Sequence, residues 1–586
     1  MANESKMSRR QFVGTAAAGA AALGAVAGVT TLMPKAAAAP VAAGATGRRL
    51  SPAVRASAVK RGGPIPVPSN WSMSADVVVV GYGGAGGVSA ISAYEAGASV
   101  IILEKTPSYA SLGYTAANKA RGGGGNTTMN AGNCICASDP IRAATYYFQT
   151  SMGNTPMDVC EAQAWMEVED PAWCTAHGIT FTGGTGTPAA PTTTAEFASI
   201  PGATGFQTMS LSSGDVFFGE LEAIIQKMNI PVLFNTPATD LIQDPNTKEI
   251  LGVQALANNS EVLNIQANKG VILTTGSIEF NESLKSMYYR NYPAHYYGWP
   301  FCTGDGAIMA SKVGAALWHM PVRSEHILAW FPYSTNPEVG PIGYSVSVGA
   351  HAIYVDKLGN RFANESLTST VNFDLFLDDY DINVPWYTRV PAFYITDSQG
   401  FASNFASGGG STTLPTYIDP RVKWSNATAL ANGWILQGPD IPTLVATMNA
   451  TTYVGLDSPT TNPLATATIN MAASNLEATI ATWNTMVAAG KGDTVFGRAS
   501  SSMGNITTPP YYAMPLWPGG PSAMGGPARN AMGQIIDIEG NPIPRLYEAG
   551  ENGSIDGMLC LGANNAAAIA WGRISGGNAA SESPWS

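Results

Sequence analysis

Hydrophobic periodicity changes character several times along the chain, and each change marks an element. Val77-Val78-Val79-Val80 is an unbroken β-branched run, the pattern of a strand buried on both faces. Glycines at 81, 83, 84, 86 and 87 then lead into an Ala-rich segment ending near Gly97, which predicts a sharp turn and a helix. A second apolar run, Val100-Ile101-Ile102-Leu103, predicts a strand beside the first. Helical spacing recurs over 140–178, 214–228 and about 470–489. Alternation predicts short strands at 231–235, 238–243, 250–256 and 261–267, and an apolar strand runs from 270 to 275 and stops at Gly276. Residues 181–205, rich in Thr, Gly, Pro and Ala, read as a surface loop. The segment from Pro544 reads as a last strand, and a helix begins near Gly562. A strand–helix–strand start, a meander and a strand returning to the first sheet together define a mixed α/β fold of Rossmann-like type.

The first turn carries chemistry. In Gly81-Tyr82-Gly83-Gly84-Ala85-Gly86, Gly81 permits the tight turn and Gly83 removes a side chain that would block a pyrophosphate. Gly86 lets helix and strand pack closely, and the helix-start amides face phosphate charge. Glu104, directly after the second strand, can accept hydrogen bonds from ribose hydroxyls. The loop is a dinucleotide cradle that could serve NAD or FAD. A further glycine run, Gly122 to Gly125, implies close backbone approach to something flat or charged.

Composition narrows the partners. Of 586 residues, 12% are charged and the formal net charge is -11, which excludes nucleic acid and a polybasic membrane patch. The cysteines at 134, 136, 160, 174, 302 and 560 form neither a haem-attachment motif nor a CxxC pair, so no metal centre is encoded by spacing. They read as small buried hydrophobes. Ser8-Arg9-Arg10-Gln11-Phe12-Val13, an Ala/Gly-rich run to Leu32 and Ala36 to Ala39 resemble a twin-arginine signal over 1–39, followed by a tether over 40–70. The expectation is a periplasmic or extracytoplasmic protein, with membrane association left open.

Several motifs occur in a telling order: the cradle with Glu104, Thr274-Thr275-Gly276, Thr303-Gly304-Asp305-Gly306, Gly359 to Glu365 as G-x-R-F-x-N-E, Pro510-Tyr511-Tyr512-Ala513, Met524-Gly525-Gly526 and Gly550-Glu551. Over 75–330 and 508–580 the chain resembles the fumarate reductase/succinate dehydrogenase-type flavoproteins, which include 3-ketosteroid Δ1-dehydrogenases and exported enoate reductases. The resemblance implies FAD, held in a domain split over 71–329 and 506–586, with an α+β capping (substrate) domain inserted at 330–505. It implies cofactor contacts from Gly81, Gly83, Gly84, Ala85, Gly86, Glu104, Lys105, Gly122, Gly123, Gly124, Thr275, Gly276, Asp305, Gly550, Glu551 and Asn565. In that family the Gly-Glu pair meets the ribityl chain, and the last helix starts at the pyrimidine edge of the ring.

The substrate machinery departs from fumarate reductases, which hold a dicarboxylate with two histidines and an arginine and protonate with another arginine. The first histidine matches His326, the second falls on Pro521 or Ser522, the clamp arginine falls near Leu561, and 397–401 contains no arginine. Two carboxylates cannot be desolvated without charge partners, so a C4 dicarboxylate is not expected. A neutral or mono-anionic compound with an apolar body fits the aromatics around the matched segments, among them Tyr289, Tyr296, Trp299, Trp330 and Trp517. By analogy with the ketosteroid enzymes, Tyr511 or Tyr512 with Gly519 or Gly520 polarises a carbonyl, with Trp517 lining the site. His326 is a further catalytic candidate, and Arg361 with Glu365 a proton path. The expected reaction is reduction of a C=C bond beside a carbonyl, with hydride passing from flavin N5 to the β-carbon. The reverse dehydrogenation and a flavin carrier without substrate chemistry are the alternatives. With no haem motif in the chain, electrons come from a separate cytochrome or quinol system.

Overall fold

The computed structural model describes residues 63–107, 123–130, 132–183, 197–258, 260–296, 298–331, 342–345, 348–367, 373–383, 386–402, 426–454, 466–555 and 564–585. The expected signal segment, most of the tether, and Gly122 lie outside these residues.

An eight-stranded sheet forms the first layer, in the order 534–536, 542–548, 261–273, 73–80, 100–103 and 232–233, with a meander of 238–243 and 250–257 on its flank. Met73–Val80 pairs in parallel with Val100–Leu103 on one side and Glu261–Leu273 on the other. Val77, Val78 and Val79 are consequently fully buried, as their uninterrupted apolar run requires. Helix Gly84–Glu95 lies against the final helix Asn564–Ser581. Glycines make that contact possible: a Cβ on Gly572 would sit 2.7 Å from Val88 Cβ, and one on Gly576 2.5 Å from Ser89 O.

Three expectations are revised here. The two strands expected at 261–267 and 270–275 are one strand, Glu261–Leu273. Its first half is partly exposed in the meander and its second half is buried in the parallel sheet, which is why the pattern changes from alternating to continuous. The helical stretch 140–178 divides into Pro140–Thr150 and Met157–Ala176, separated by a turn at Gly153 with φ +74°. The region read as a loop over 181–205 opens with the strand Phe181–Gly183, and Phe206–Leu211 just beyond it pairs with both that strand and Asn133–Ala137.

The second layer is a seven-stranded sheet built on Tyr511–Ala523. Arg323–Phe331 and His295–Tyr296 pair with the later part of this strand, and Ala392–Thr396 and Leu436–Gly438 with the earlier part. The sheet therefore recruits strands from both sides of the expected boundaries near 330 and 505. Behind it, Arg361, Glu365, Asp493 and Arg498 form a buried ion network, and both guanidinium groups lie over the Trp483 ring. Among the described residues, no helix is long and apolar enough to cross a membrane.

Candidate active site

A cavity of about 440 Å³ runs along the C-terminal ends of the parallel strands, where open α/β sheets bind ligands. One end is the glycine cradle. Gly81 has φ +106°, and a Cβ there would stand 2.4 Å from Thr274 O, so the turn admits only glycine without distortion. Gly86 is equally constrained, since its Cβ would meet Gly81 O at 2.1 Å. At Gly83 the only neighbour is the Gly124 carbonyl, with its oxygen at 3.6 Å, which leaves the space over the helix start open to a ligand. Gly124 N donates to Tyr82 O, so the second glycine run is clipped directly onto the cradle.

Glu104 is held for use rather than loose. Tyr82 N–H donates to its Oε2 at 2.9 Å, and the Thr106 N–H and hydroxyl both donate to Oε1 at 2.8 Å. These bonds fix the carboxylate at the cavity wall and leave one lone-pair site, on Oε2, able to accept from a ligand hydroxyl. Lys105 Nζ lies 2.6 Å from Asp305 Oδ2 and 2.7 Å from Thr303 Oγ1, joining the second strand to the helix Asp305–Lys312. Glu104→Gln is expected to weaken FAD binding about tenfold, because a carboxamide cannot match the hydrogen bonds of a charged acceptor. Fluorescence titration of the apoprotein measures this, and unchanged affinity would remove Glu104 from the site.

The other end is rich in neutral polar groups. Asn130 and Asn565 exchange reciprocal side-chain bonds at 3.1 Å, and Asn565 also donates to Asn133 O at 2.8 Å. Asn564 Nδ2 donates to Glu551 Oε1 at 2.8 Å and to Ser522 Oγ at 3.2 Å. Ser324 stands opposite Ser522 in the strand pair, and both line the cavity with Trp299, Phe301 and Pro521. Lys105 is the only cationic side chain among the described lining residues, and it is already paired with Asp305.

The cavity lining includes Gly81, Gly83, Gly84, Ala85, Glu104, Lys105, Thr275, Gly276, Asp305, Gly550, Glu551 and Asn565. Gly86 supports the cradle from behind, and Gly123 and Gly124 sit against Tyr82. Other expected residues fall elsewhere. Tyr511 and Tyr512 occupy the start of the long strand, whereas Pro521 and Ser522 near its end touch the cavity. At about 3.3 Å per residue this places the tyrosines roughly 30 Å away along the strand. Tyr512 is instead buried against Phe401, with ring centroids 3.9 Å apart and planes 5° from parallel. Arg361 and Glu365 also lie outside the cavity lining, bonded to each other at 2.7 and 2.8 Å. Both sets therefore stand apart from this cavity, engaged by packing and charge pairing in the cap.

Gly519 and Gly520 pair with His295 and Tyr296, one step behind Pro521, and His326 stands opposite Gly519 on the other edge. The side chain of His326 lies outside the described set. Trp517 is buried and meets His295 edge-on at 5.6 Å. The sequence reading did not single out His295. It stacks on Trp330 at 4.1 Å, and burial, followed by the charge of Lys285, holds its imidazole well below the usual range. Asn126, Ser324 and Asn564 were also missed. Asn126 directly follows the glycine run and Asn564 precedes Asn565, so adjacency was their only signal.

A glycine cradle on a parallel sheet, a fixed acid at the cavity wall and a long cavity closed by a second sheet define a dinucleotide-dependent oxidoreductase. The chain belongs to the FAD binding domain family, whose sequence model matches residues 76–565, and it is an FAD-dependent oxidoreductase. It is 26% identical over 543 residues to a probable fumarate reductase of Shewanella frigidimarina, covering 87% of this chain and 75% of that protein. It is 24% identical over 565 residues to digoxin reductase of Eggerthella lenta, covering 89% and 90%. The fold resembles 3-ketosteroid Δ1-dehydrogenase from Sterolibacterium denitrificans with a TM-score of 0.67 at 19% identity, covering 86% of this chain and 99% of that one.

Proposed function

We propose that the protein is an exported FAD-dependent reductase of an activated C=C bond in a neutral or mono-anionic compound with an apolar body. One observation carries this reading: the reacting end of the cavity presents serine hydroxyls, asparagine amides and aromatic faces, while its single described cation is neutralised at the opposite end. A dicarboxylate placed there would lose hydration without gaining partners. The relatives named for reduction of fumarate and of digoxin support a C=C acceptor. Bound FAD supplies the electron pair.

The chain supplies the rest. Ser324, beside Ser522 on the adjacent strand, can donate its hydroxyl to a substrate carbonyl and stabilise the enolate-like charge that develops on its oxygen. Ser522 donates to Glu551, which ties the substrate end to a buried carboxyl group. Trp299 and Phe301 cover an apolar body and exclude water. The Arg9-Arg10 segment supports export, and the absence of a haem motif in the sequence supports a separate cytochrome or quinol donor.

Anaerobic reoxidation of the photoreduced holoprotein tests the reading. Enones and mono-anionic enoates should reoxidise the flavin at least tenfold faster than fumarate does. Equal or faster reoxidation by fumarate overturns the substrate class, and turnover confined to dehydrogenation of saturated ketones overturns the direction. A flavin that no unsaturated compound reoxidises leaves only the electron carrier.

A further inference from the structure

A second carboxyl stands behind Glu551. Glu279, which follows the strand end at Thr275-Gly276, is fully buried. Asn126 Nδ2 donates to Glu279 Oε1 at 3.0 Å and to Glu551 Oε2 at 2.9 Å, so one amide spans both acids. The Asn126 carbonyl is fixed by the Trp299 N–H, and Glu279 Oε1 also accepts the Ala523 N–H at 3.0 Å. That leaves Glu279 Oε2 buried without a hydrogen-bond partner.

Charge cannot be distributed evenly over this arrangement. The two acids bond to one nitrogen, inside the separation of about 6 Å at which like charges oppose each other's ionisation. Glu551 borders the cavity and receives Asn564 and Ser522, whereas Glu279 is fully buried with one oxygen that accepts no hydrogen bond from the protein. A negative charge is therefore less costly on Glu551. Burial, and then the charge of Glu551, push Glu279 well above the usual carboxylate range, while burial raises Glu551 as well. The Cys302 thiol shares this corner and is pushed up by burial and by both acids. Glu104 and Lys105 act on it from farther along the cavity, Lys105 in its pair with Asp305.

We propose that the Glu279–Glu551 pair, bridged by Asn126, holds one proton, carried by Glu279, and that Glu279 is a positioning residue setting the charge presented to the flavin. Near neutral pH the pair then carries a single negative charge, on the cavity side. At alkaline pH Glu279 also ionises, the added charge opposes reduction of the cofactor, and the midpoint potential falls more steeply with pH. This rests on FAD in the cavity and not on the identity of the substrate, so it is measured with no substrate present.

The wild-type minus Glu279→Gln infrared difference spectrum of oxidised holoprotein near neutral pH should contain a protonated-carboxyl C=O band. Spectroelectrochemical titration should show an alkaline limb in the potential of the wild type that is lost in the same variant, with the two proteins coinciding near neutral pH. Absence of that band from the difference between the two proteins, or a limb common to both, overturns the proposal. Should Glu279→Gln not fold, the wild type alone decides. Its carboxyl band must disappear over the same pH interval as the limb, and disappearance elsewhere overturns the assignment.

Discussion

Gly81→Ala protein is expected to purify without stoichiometric flavin and to bind added FAD at least tenfold more weakly than the wild type. The added methyl would lie 2.4 Å from Thr274 O and 3.2 Å from Thr274 Oγ1, at a backbone φ of +106°. Thr274 cannot move aside, since its hydroxyl donates to Val80 O at 3.0 Å and to Gly81 O at 2.8 Å. Left-handed geometry costs about 1–2 kcal/mol for a residue with a Cβ, and overpacking about 1–3 kcal/mol more. Relief requires the two central parallel strands to separate at the point where the phosphates bind. Because about 1.4 kcal/mol is a factor of ten in affinity, either cost alone is nearly sufficient. The absorbance ratio of flavin to protein reads the outcome. Gly83→Ala is the control: its Cβ meets only the Gly124 carbonyl, so stability should be kept and only affinity should fall. Full flavin occupancy in Gly81→Ala would mean that the cradle does not constrain the cofactor.

Glu365→Ala should destabilise the protein by about 3–5 kcal/mol, because it breaks a buried charge network on one side only. Glu365 is fully buried and accepts from Arg361 Nε at 2.7 Å, Arg361 Nη2 at 2.8 Å and Arg498 Nη1 at 3.4 Å. Without it, Asp493, 2.8 Å from Arg361, is left as the remaining acid of the network for two guanidinium groups. Arg498 keeps its bonds to the carbonyls of Gly349, Ala352 and Ser502, which orient the side chain but do not neutralise it. Denaturant unfolding followed by tryptophan fluorescence measures the loss. The same variant separates two readings of the G-x-R-F-x-N-E segment. A residue holding the cap together lowers stability while activity per folded, flavin-loaded molecule is kept. A proton path lowers turnover at unchanged stability, and that outcome would return Glu365 to the chemistry.

The contrast between these two positions shows what a motif can and cannot convey. Gly81 and Glu104 act through local geometry: a strand, a turn and a following acid lie close in sequence, and their spacing alone brings them together. Tyr511, Tyr512, Arg361 and Glu365 match family motifs equally well, but their function depends on where a strand points and what a charge meets. The long strand Tyr511–Ala523 sends its first residues into the cap core and only its last into the cavity. That direction is fixed by pairing with strands at 323–331 and 392–396, which local pattern cannot reveal.

The sequence by itself determined the parallel sheet, the cradle and the FAD family, because buried strands and phosphate-binding turns are written in contiguous residues. Only the tertiary structure decided which polar groups face the reacting end. Asn126, Glu279, Ser324, Ser522, Glu551 and Asn564 come from widely separated segments, and none has a distinctive local pattern. Their meeting is set by the packing of the two sheets against one cavity, and burial there, rather than residue type, decides which acid keeps its proton.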